Sequence, residues 1–253
     1  MMPVKNDNRK LEGRTALVTG AAKRLGAATA RRLHAEGMNL LLHYNKSEAD
    51  AVKLCAELNA LRKDSAAVAQ ADLGNIQGLD SLVKAALQWD GLDVLVNNAS
   101  SFRPTPLGSV VEDDWDELMA SNLKAPFFLS QAAAVHLKKN HGSIVNMVDI
   151  HARRPLKDYT VYCAAKAGLA MLTLSLAKEL GPEIRVNGVS PGPVLWPEGG
   201  MDAATKKSIL EATALKRKGS PEDIAGAVLY LVRDAEYVTG QIIAIDGGRS
   251  LGW

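Results

Sequence analysis

Short apolar runs alternate with longer helical patterns along this chain. The runs are Thr15–Thr19, Asn39–Tyr44, Ala66–Ala71, Asp93–Asn97, Ser143–Val148, Arg185–Val189 and Gln241–Ile245. Val94-Leu95-Val96 and Ile242-Ile243-Ala244-Ile245 show no polar alternation, as expected of strands buried on both faces. Helical patterns fill the intervals at about Leu25–Glu36, Glu48–Leu61, Asn75–Trp89, Glu112–Leu137, Tyr159–Leu180, Lys206–Ala214 and Pro221–Leu231. Gly37 and Gly181-Pro182 mark helix stops. Ser220-Pro221-Glu222-Asp223 marks a start, with a capping hydroxyl, a proline and two acids at the positive end of the helix dipole. Strand–helix alternation predicts right-handed crossovers and a parallel sheet covered on both sides. With no repeat or linker, residues 1–253 read as one α/β domain around a doubly wound sheet of about seven strands. Residues 1–11 read as a flexible leading segment.

Composition narrows the function little. The 253 residues are 47% hydrophobic and 23% charged, with formal net charge +2, an ordinary globular balance. The basic clusters Lys216-Arg217-Lys218 and Arg153-Arg154 are too short for a nucleic-acid footprint. Cys55 and Cys163 show no metal-ligand spacing, so no metal is expected and packing is the simplest role for each. Met1 to Lys10 is polar, with no apolar stretch of signal-peptide length, and no apolar run reads as long enough to span a membrane. A cytoplasmic enzyme or binding protein is the expectation.

The first run ends in Thr19-Gly20-Ala21-Ala22-Lys23-Arg24-Leu25-Gly26 and enters a helix. A strand, a glycine turn and a helix N-terminus make a pyrophosphate site of the Rossmann-like kind, with Gly20 for the turn and Gly26 for close helix–sheet packing. Arg24 stands where a middle glycine is usual, and its guanidinium can fork onto a phosphate or a planar ligand edge. The second run ends in His43-Tyr44-Asn45-Lys46-Ser47. NAD-preferring sites place an acid near here for the ribose hydroxyl. This stretch has none before Glu48, and Lys46 and Ser47 offer a cation and a hydroxyl to a 2′-phosphate, so NADP(H) is the expected cofactor. Asp72, followed by Leu73, ends the third run, where it could meet the adenine or cap the Asn75 helix.

Tyr162 and Lys166 lie four residues apart in a helical segment, so phenol and ammonium share one face. A nearby cation stabilises a phenolate and lowers the tyrosine pKa, tuning it for proton transfer. Asp149, thirteen residues earlier after a strand, is a second candidate proton source.

Thr19-Gly20-x-x-x-Arg24-x-Gly26, Asn97-Asn98-Ala99-Ser100, Asn122, Tyr162-x-x-x-Lys166 and Pro191-Gly192 follow in that order. Spread over nearly the whole chain, this set resembles the short-chain dehydrogenase/reductase superfamily. Arg24, His43-Tyr44-x-Lys46-Ser47, the stretch Asn98 to Leu107 and Asn146-Met147-Val148-Asp149 resemble its pteridine reductases more narrowly. Most superfamily members carry serine at the position of Asp149; pteridine reductases carry aspartate. The resemblance implies that Asn98, Ala99 and Ser100 line the nicotinamide side, that Asn122 helps hold a water chain to Lys166, and that Lys166 binds the nicotinamide ribose and depresses the Tyr162 pKa. It implies further that Phe102 stacks on a substrate ring, that Arg24 and Ser100 touch both cofactor phosphate and pterin, and that two long helices build a homotetramer. The 193–206 loop would cover the substrate, with Trp196 and Met201 either as lid contacts or as loop packing.

The expected reaction is NADPH-dependent reduction of a pteridine C=N bond in a biopterin-type or folate substrate. Tyr162 donates the proton, with Asp149 beside it. The alternatives are a dihydromonapterin or dihydrofolate reductase, a reductase of 3-oxoacyl or sugar carbonyls, and a non-catalytic NADP-binding scaffold. The intact set Asn122, Tyr162 and Lys166 weighs against the last.

Overall fold

The computed structural model describes residues 11–197 and 199–252. Seven strands, all parallel, form one sheet in the order β3-β2-β1-β4-β5-β6-β7. They are β1 Thr15–Val18, β2 Asn39–Tyr44, β3 Ala66–Gln70, β4 Val94–Asn97, β5 Ser143–Met147, β6 Arg185–Pro191 and β7 Ile242–Ile245. Every run expected from the sequence is a strand, with ends shifted by at most two residues. Parallel order forces a crossover between strands, and the helices supply it. They are α1 Arg24–Ala35, α2 Glu48–Leu61, α3 Leu79–Ala85, α4 Glu112–Met119, α5 Ala125–Lys139, α6 Thr160–Leu180, α7 Ala203–Glu211 and α8 Pro221–Arg233.

Alternate residues of each central strand feed two cores. Ala16, Val18, Leu40, Leu42, Val94, Val96 and Val145 pack with Leu33 of α1, Leu54 of α2 and Val228 of α8. Leu17, Leu41, Leu95, Ile144 and Val186 pack with Leu82 of α3, Leu129 of α5 and Ala177 of α6. Both faces are therefore covered, which explains the unbroken apolar runs. The strand order reverses between β1 and β4, which opens a crevice at the carboxyl ends of these strands.

Several elements differ from expectation. Residues 1–10 of the expected flexible segment lie outside the described residues, but Leu11 is 2% exposed and belongs to the first core. The expected Asn75 helix begins as a tight turn, Ile76–Gly78, and ends as another, Ala86–Trp89. Asn75, not Asp72, accepts the capping bond, from Gln77 N–H at 3.1 Å. The penultimate helix starts earlier than expected, at Ala203, because Asp202 caps it through Thr205 N–H at 2.8 Å. The single helix expected over Glu112–Leu137 is broken by a π turn at Ala120–Lys124. There the N–H of Ala125 reaches back to Ala120 O. Pro126 has no N–H for the Asn122 carbonyl and its ring crowds that carbonyl, so the wider turn relieves both problems. Finally, α6 is 21 residues long with a window of mean hydropathy 1.4, so by length and composition it could cross a membrane. The sequence reading expected no run of that length; the helix meets the length and composition test although Lys166, Lys178 and Glu179 stand within it. Within the fold, its Leu169, Thr173 and Ala177 are buried.

Candidate active site

A cleft of about 1830 Å³ lies at the carboxyl ends of the strands, on the crevice between β1 and β4. It exceeds the roughly 300–1,000 Å³ of pockets for drug-sized ligands, so it has room for a dinucleotide and a second molecule. All the candidate residues line it except Asn122.

The glycine turn is the most constrained wall. Gly20 adopts φ +60°, a left-handed conformation that glycine takes without strain. A Cβ on Gly26 would lie 2.2 Å from Gly20 O and 2.6 Å from Asn98 Nδ2. Asn98 Nδ2 donates to Thr19 O at 2.8 Å and Gly20 O at 3.1 Å, so its amide clamps the turn. The N–H groups of Asn98 and Ala99 both donate to Thr19 Oγ1 at 2.9 Å. Arg24 also has positive φ, +53°, and its Nη2 donates to Trp196 O at 3.2 Å, linking the turn to the loop expected to cover the substrate. Gly26→Ala is expected to lose NADPH binding. It should also lower the melting temperature, since it drives a methyl group into backbone at a cost of at least the ~1–3 kcal/mol of overpacking. A binding titration with a thermal scan checks this.

Farther along, Tyr44, Lys46, Ser47, Asp72 and Leu73 form the opposite end of the cleft. Ser47 occupies the N-cap position of α2 without a side-chain cap bond, and Tyr44 Oη donates to Glu48 at 3.3 Å. Asp72 Oδ1 accepts from Gly74 N–H at 2.9 Å, holding a local turn.

At the other end, Asp149 follows β5 and Tyr162 and Lys166 share one face of α6. Tyr162 Oη donates to Asp149 Oδ2 at 2.8 Å, and Asp149 Oδ1 accepts from His151 N–H at 2.8 Å. Lys166 is 2% exposed; its Nζ donates to Met147 O at 2.8 Å and sits 5.7 Å from the Tyr162 ring centroid. Burial pushes the Lys166 ammonium down to about 8, opposed by the Asp149 carboxylate. Tyr162 departs from expectation: its pKa is raised well above the ordinary phenol value, not lowered. Burial is the main cause, and the Asp149 charge and hydrogen bond add to it. A carboxylate in contact with the hydroxyl outweighs an ammonium farther away.

The π turn carries Asn122, which is fully buried. Its Nδ2 donates to Ser101 O at 2.9 Å and Leu118 O at 3.0 Å, while its Oδ1 accepts from Ser100 Oγ at 2.7 Å. Asn122 thus fixes the Ser100–Phe102 loop. Phe102 is 45% exposed, with one face stacked on Tyr159 at 4.5 Å between centroids and its ring edge-on to Tyr162 at 4.8 Å. Pro191 and Gly192 end β6 against the cleft, where a Cβ on Gly192 would lie 2.5 Å from Asp246 Cβ. Trp196 and Met201 line the cleft as well, and Lys206 Nζ sits 5.9 Å over the Trp196 ring. The sequence reading missed Tyr159, His151 and Arg249, which also line it. No spacing signal marks Tyr159, which precedes α6 and reaches the site through its stack on Phe102.

Similarity to known proteins agrees with this arrangement. A family model described as enoyl-(acyl carrier protein) reductase matches residues 20–250. Pteridine reductase 1 of Leishmania tarentolae is 41% identical over 277 residues, covering 93% of this chain and 96% of that protein. A 3-oxoacyl-[acyl-carrier-protein] reductase of Synechocystis sp. is 35% identical over 243 residues, covering 94% and 97%. Among solved structures, a blue fluorescent protein from a metagenomic library, in complex with NADPH, superposes with TM-score 0.89 at 36% identity, covering 95% of this chain and 99% of that one. The chain belongs to the short-chain dehydrogenase/reductase family of oxidoreductases.

Proposed function

We propose that the protein is an NADPH-dependent pteridine reductase acting on biopterin-type or folate substrates. One observation carries the reading: Tyr162 Oη donates to Asp149 Oδ2 at 2.8 Å beside the exposed Phe102 ring. A phenol hydroxyl oriented by a carboxylate next to a flat apolar face suits an aromatic ring whose nitrogen must be protonated.

NADP(H) fits the cleft on several grounds. The turn has no room for a side chain at Gly20 or Gly26, which leaves its backbone open to a pyrophosphate, and Lys46 and Ser47 lie on the cleft with a cation and a hydroxyl for a 2′-phosphate. A related protein of the same family binds NADPH. Gly20, Arg24, Leu25 and Gly26 would hold the pyrophosphate; Asn98, Ala99, Ser100, Pro191 and Gly192 the nicotinamide side; and Asp72 and Leu73 the adenine side. When bound, the nicotinamide supplies hydride to the C=N carbon.

The chain's own groups manage the proton. Tyr162 is the immediate donor, since its raised pKa keeps the phenol protonated at neutral pH. Asp149 orients the hydroxyl by accepting its hydrogen bond, and a proton that the carboxylate takes up from water can pass to the phenolate after transfer. Lys166 places a buried cation near the phenolate left behind, and Asn122 holds the Ser100–Phe102 loop against the site. Arg24 and Ser100 contact the donor- and acceptor-rich pterin edge. A homotetramer through α4–α5 and α6 is part of the same reading, supported by the exposed apolar side chains Phe127, Val135, Met171 and Leu174.

Lys166 sets an alkaline limit. With its pKa near 8 and Tyr162 well above the ordinary value, rising pH removes the lysine proton first. The kcat/KM for NADPH, which reports the free enzyme, should fall above pH about 8; a flat profile to pH 10 would contradict a need for this cation. Stability moves the opposite way. The unfolded chain keeps this proton to about 10.5, so it binds more protons than the folded chain between about 8 and 10.5. The Lys166 contribution to stability therefore rises with pH across that window.

Ketone reduction is the second reading, favoured by similarity to the 3-oxoacyl-[acyl-carrier-protein] reductase. Asp149 in place of serine weighs against it. NADPH consumption with dihydrobiopterin, dihydrofolate and a β-ketoester separates them. Pterin or folate turnover well above β-ketoester turnover is expected, and the reverse order would sink the pteridine assignment.

A further inference from the structure

We propose that His43 is the positioning residue of the cofactor turn. The inference rests on the reading that this turn holds NADPH. His43 is the penultimate residue of β2 and is 1% exposed. Its Nδ1 accepts from the Gly20 N–H at 3.0 Å, and its backbone carbonyl accepts from the Ala21 N–H at 2.9 Å. One residue therefore takes up two successive N–H groups of the glycine turn. Its Nε2 lies 3.1 Å from the Ala71 carbonyl, just before Asp72 and Leu73 on the far rim of the cleft.

These contacts fix the protonation state. A carbonyl can only accept, so Nε2 carries hydrogen; a backbone N–H can only donate, so Nδ1 is bare. The ring is neutral, in the Nε2–H form, and its burial favours that neutrality. It bridges the ends of β1 and β3, the strands that carry the pyrophosphate turn and the adenine rim. The link has little slack. With Gly20 N–H held from behind, Gly20 O meets Asn98 Nδ2, and Gly26 closes on that same oxygen. An apolar side chain of similar size would fill the space but leave the Gly20 N–H without its acceptor.

His43→Asn, His43→Gln and His43→Leu test the assignment. The asparagine oxygen can stand in for Nδ1, whereas the glutamine amide reaches toward the Nε2 position. NADPH dissociation constants come from quenching of tryptophan fluorescence, alongside kcat at saturating NADPH and the melting temperature without cofactor. The leucine and glutamine variants should bind NADPH about tenfold or more weakly, and the asparagine variant should stay within about threefold of the unaltered protein. The losses should fall on the dissociation constant and the KM for NADPH rather than on kcat. If the leucine variant does not fold, the asparagine–glutamine comparison decides. Equal loss in asparagine and glutamine variants, unchanged affinity in all, or a fall in kcat matching the fall in affinity would overturn the proposal. An unaltered protein that fails to bind NADPH would overturn the cofactor reading itself, and the His43 assignment with it.

Discussion

Asp149→Ser is expected to lower pterin turnover by about 10²-fold, while the NADPH dissociation constant changes little. The carboxylate makes two contacts at 2.8 Å, accepting from Tyr162 Oη and from His151 N–H. Serine can keep the second as a turn cap, since hydroxyls and carboxylates both accept from backbone there. Its single short oxygen does not reproduce the first. The phenol then loses its orienting acceptor and its proton relay, and positioned acid–base groups contribute about 10²–10⁴-fold. NADPH affinity should hold because the glycine turn, Lys46 and Ser47 make no contact with Asp149. Steady-state kcat with dihydrobiopterin, paired with a binding titration, decides the matter. Unchanged turnover would remove Asp149 from the mechanism, and an equal loss of NADPH affinity would make its role structural.

Tyr162→Phe should have the larger effect, a drop in kcat of about 10²–10⁴-fold, because it deletes the immediate donor. The ring packs with Leu118, Val161 and Cys163 and lies edge-on to Phe102, and phenylalanine preserves that packing. The melting temperature should therefore stay near that of the unaltered protein. Asp149 would lose its phenol partner but keep the His151 N–H. Residual activity above about a tenth, with a folded protein, would show that the proton comes from elsewhere.

Much of the fold was legible because strands buried on both faces leave little freedom in residue choice. Leu40, Leu41 and Leu42 face two different cores in turn, so all three are apolar. Helix ends were readable where caps are strong, as at Ser220 and Asp223, which bond reciprocally. The π turn was missed although its cause, Pro126, stands in the sequence: a single proline four residues after Asn122 was outweighed by a long helical pattern. In the site, the glycine turn, Tyr162, Lys166 and Asp149 were legible as motifs, and the structure brings them to one cleft. Their electrostatics were not, because the Tyr162 shift depends on a hydrogen bond to Asp149 that spacing does not encode. Tyr159 was invisible for a similar reason: its stack on Phe102 joins residues 57 positions apart, through a loop tied by the Thr105 N–H to Asp158.

That stack also bears on how a substrate would enter. Phe102 gives one face to Tyr159, so a pterin ring must use the other face or displace the tyrosine. A ternary crystal structure with NADPH and a pterin therefore tests the central claim most directly, since it reports where the ring lies against Phe102, Tyr162 and Asp149. The account predicts the ring against Phe102, with a ring nitrogen within hydrogen-bond reach of the Tyr162 hydroxyl or the Asp149 carboxyl. A ring lying away from Phe102, with no nitrogen facing that pair, would contradict it.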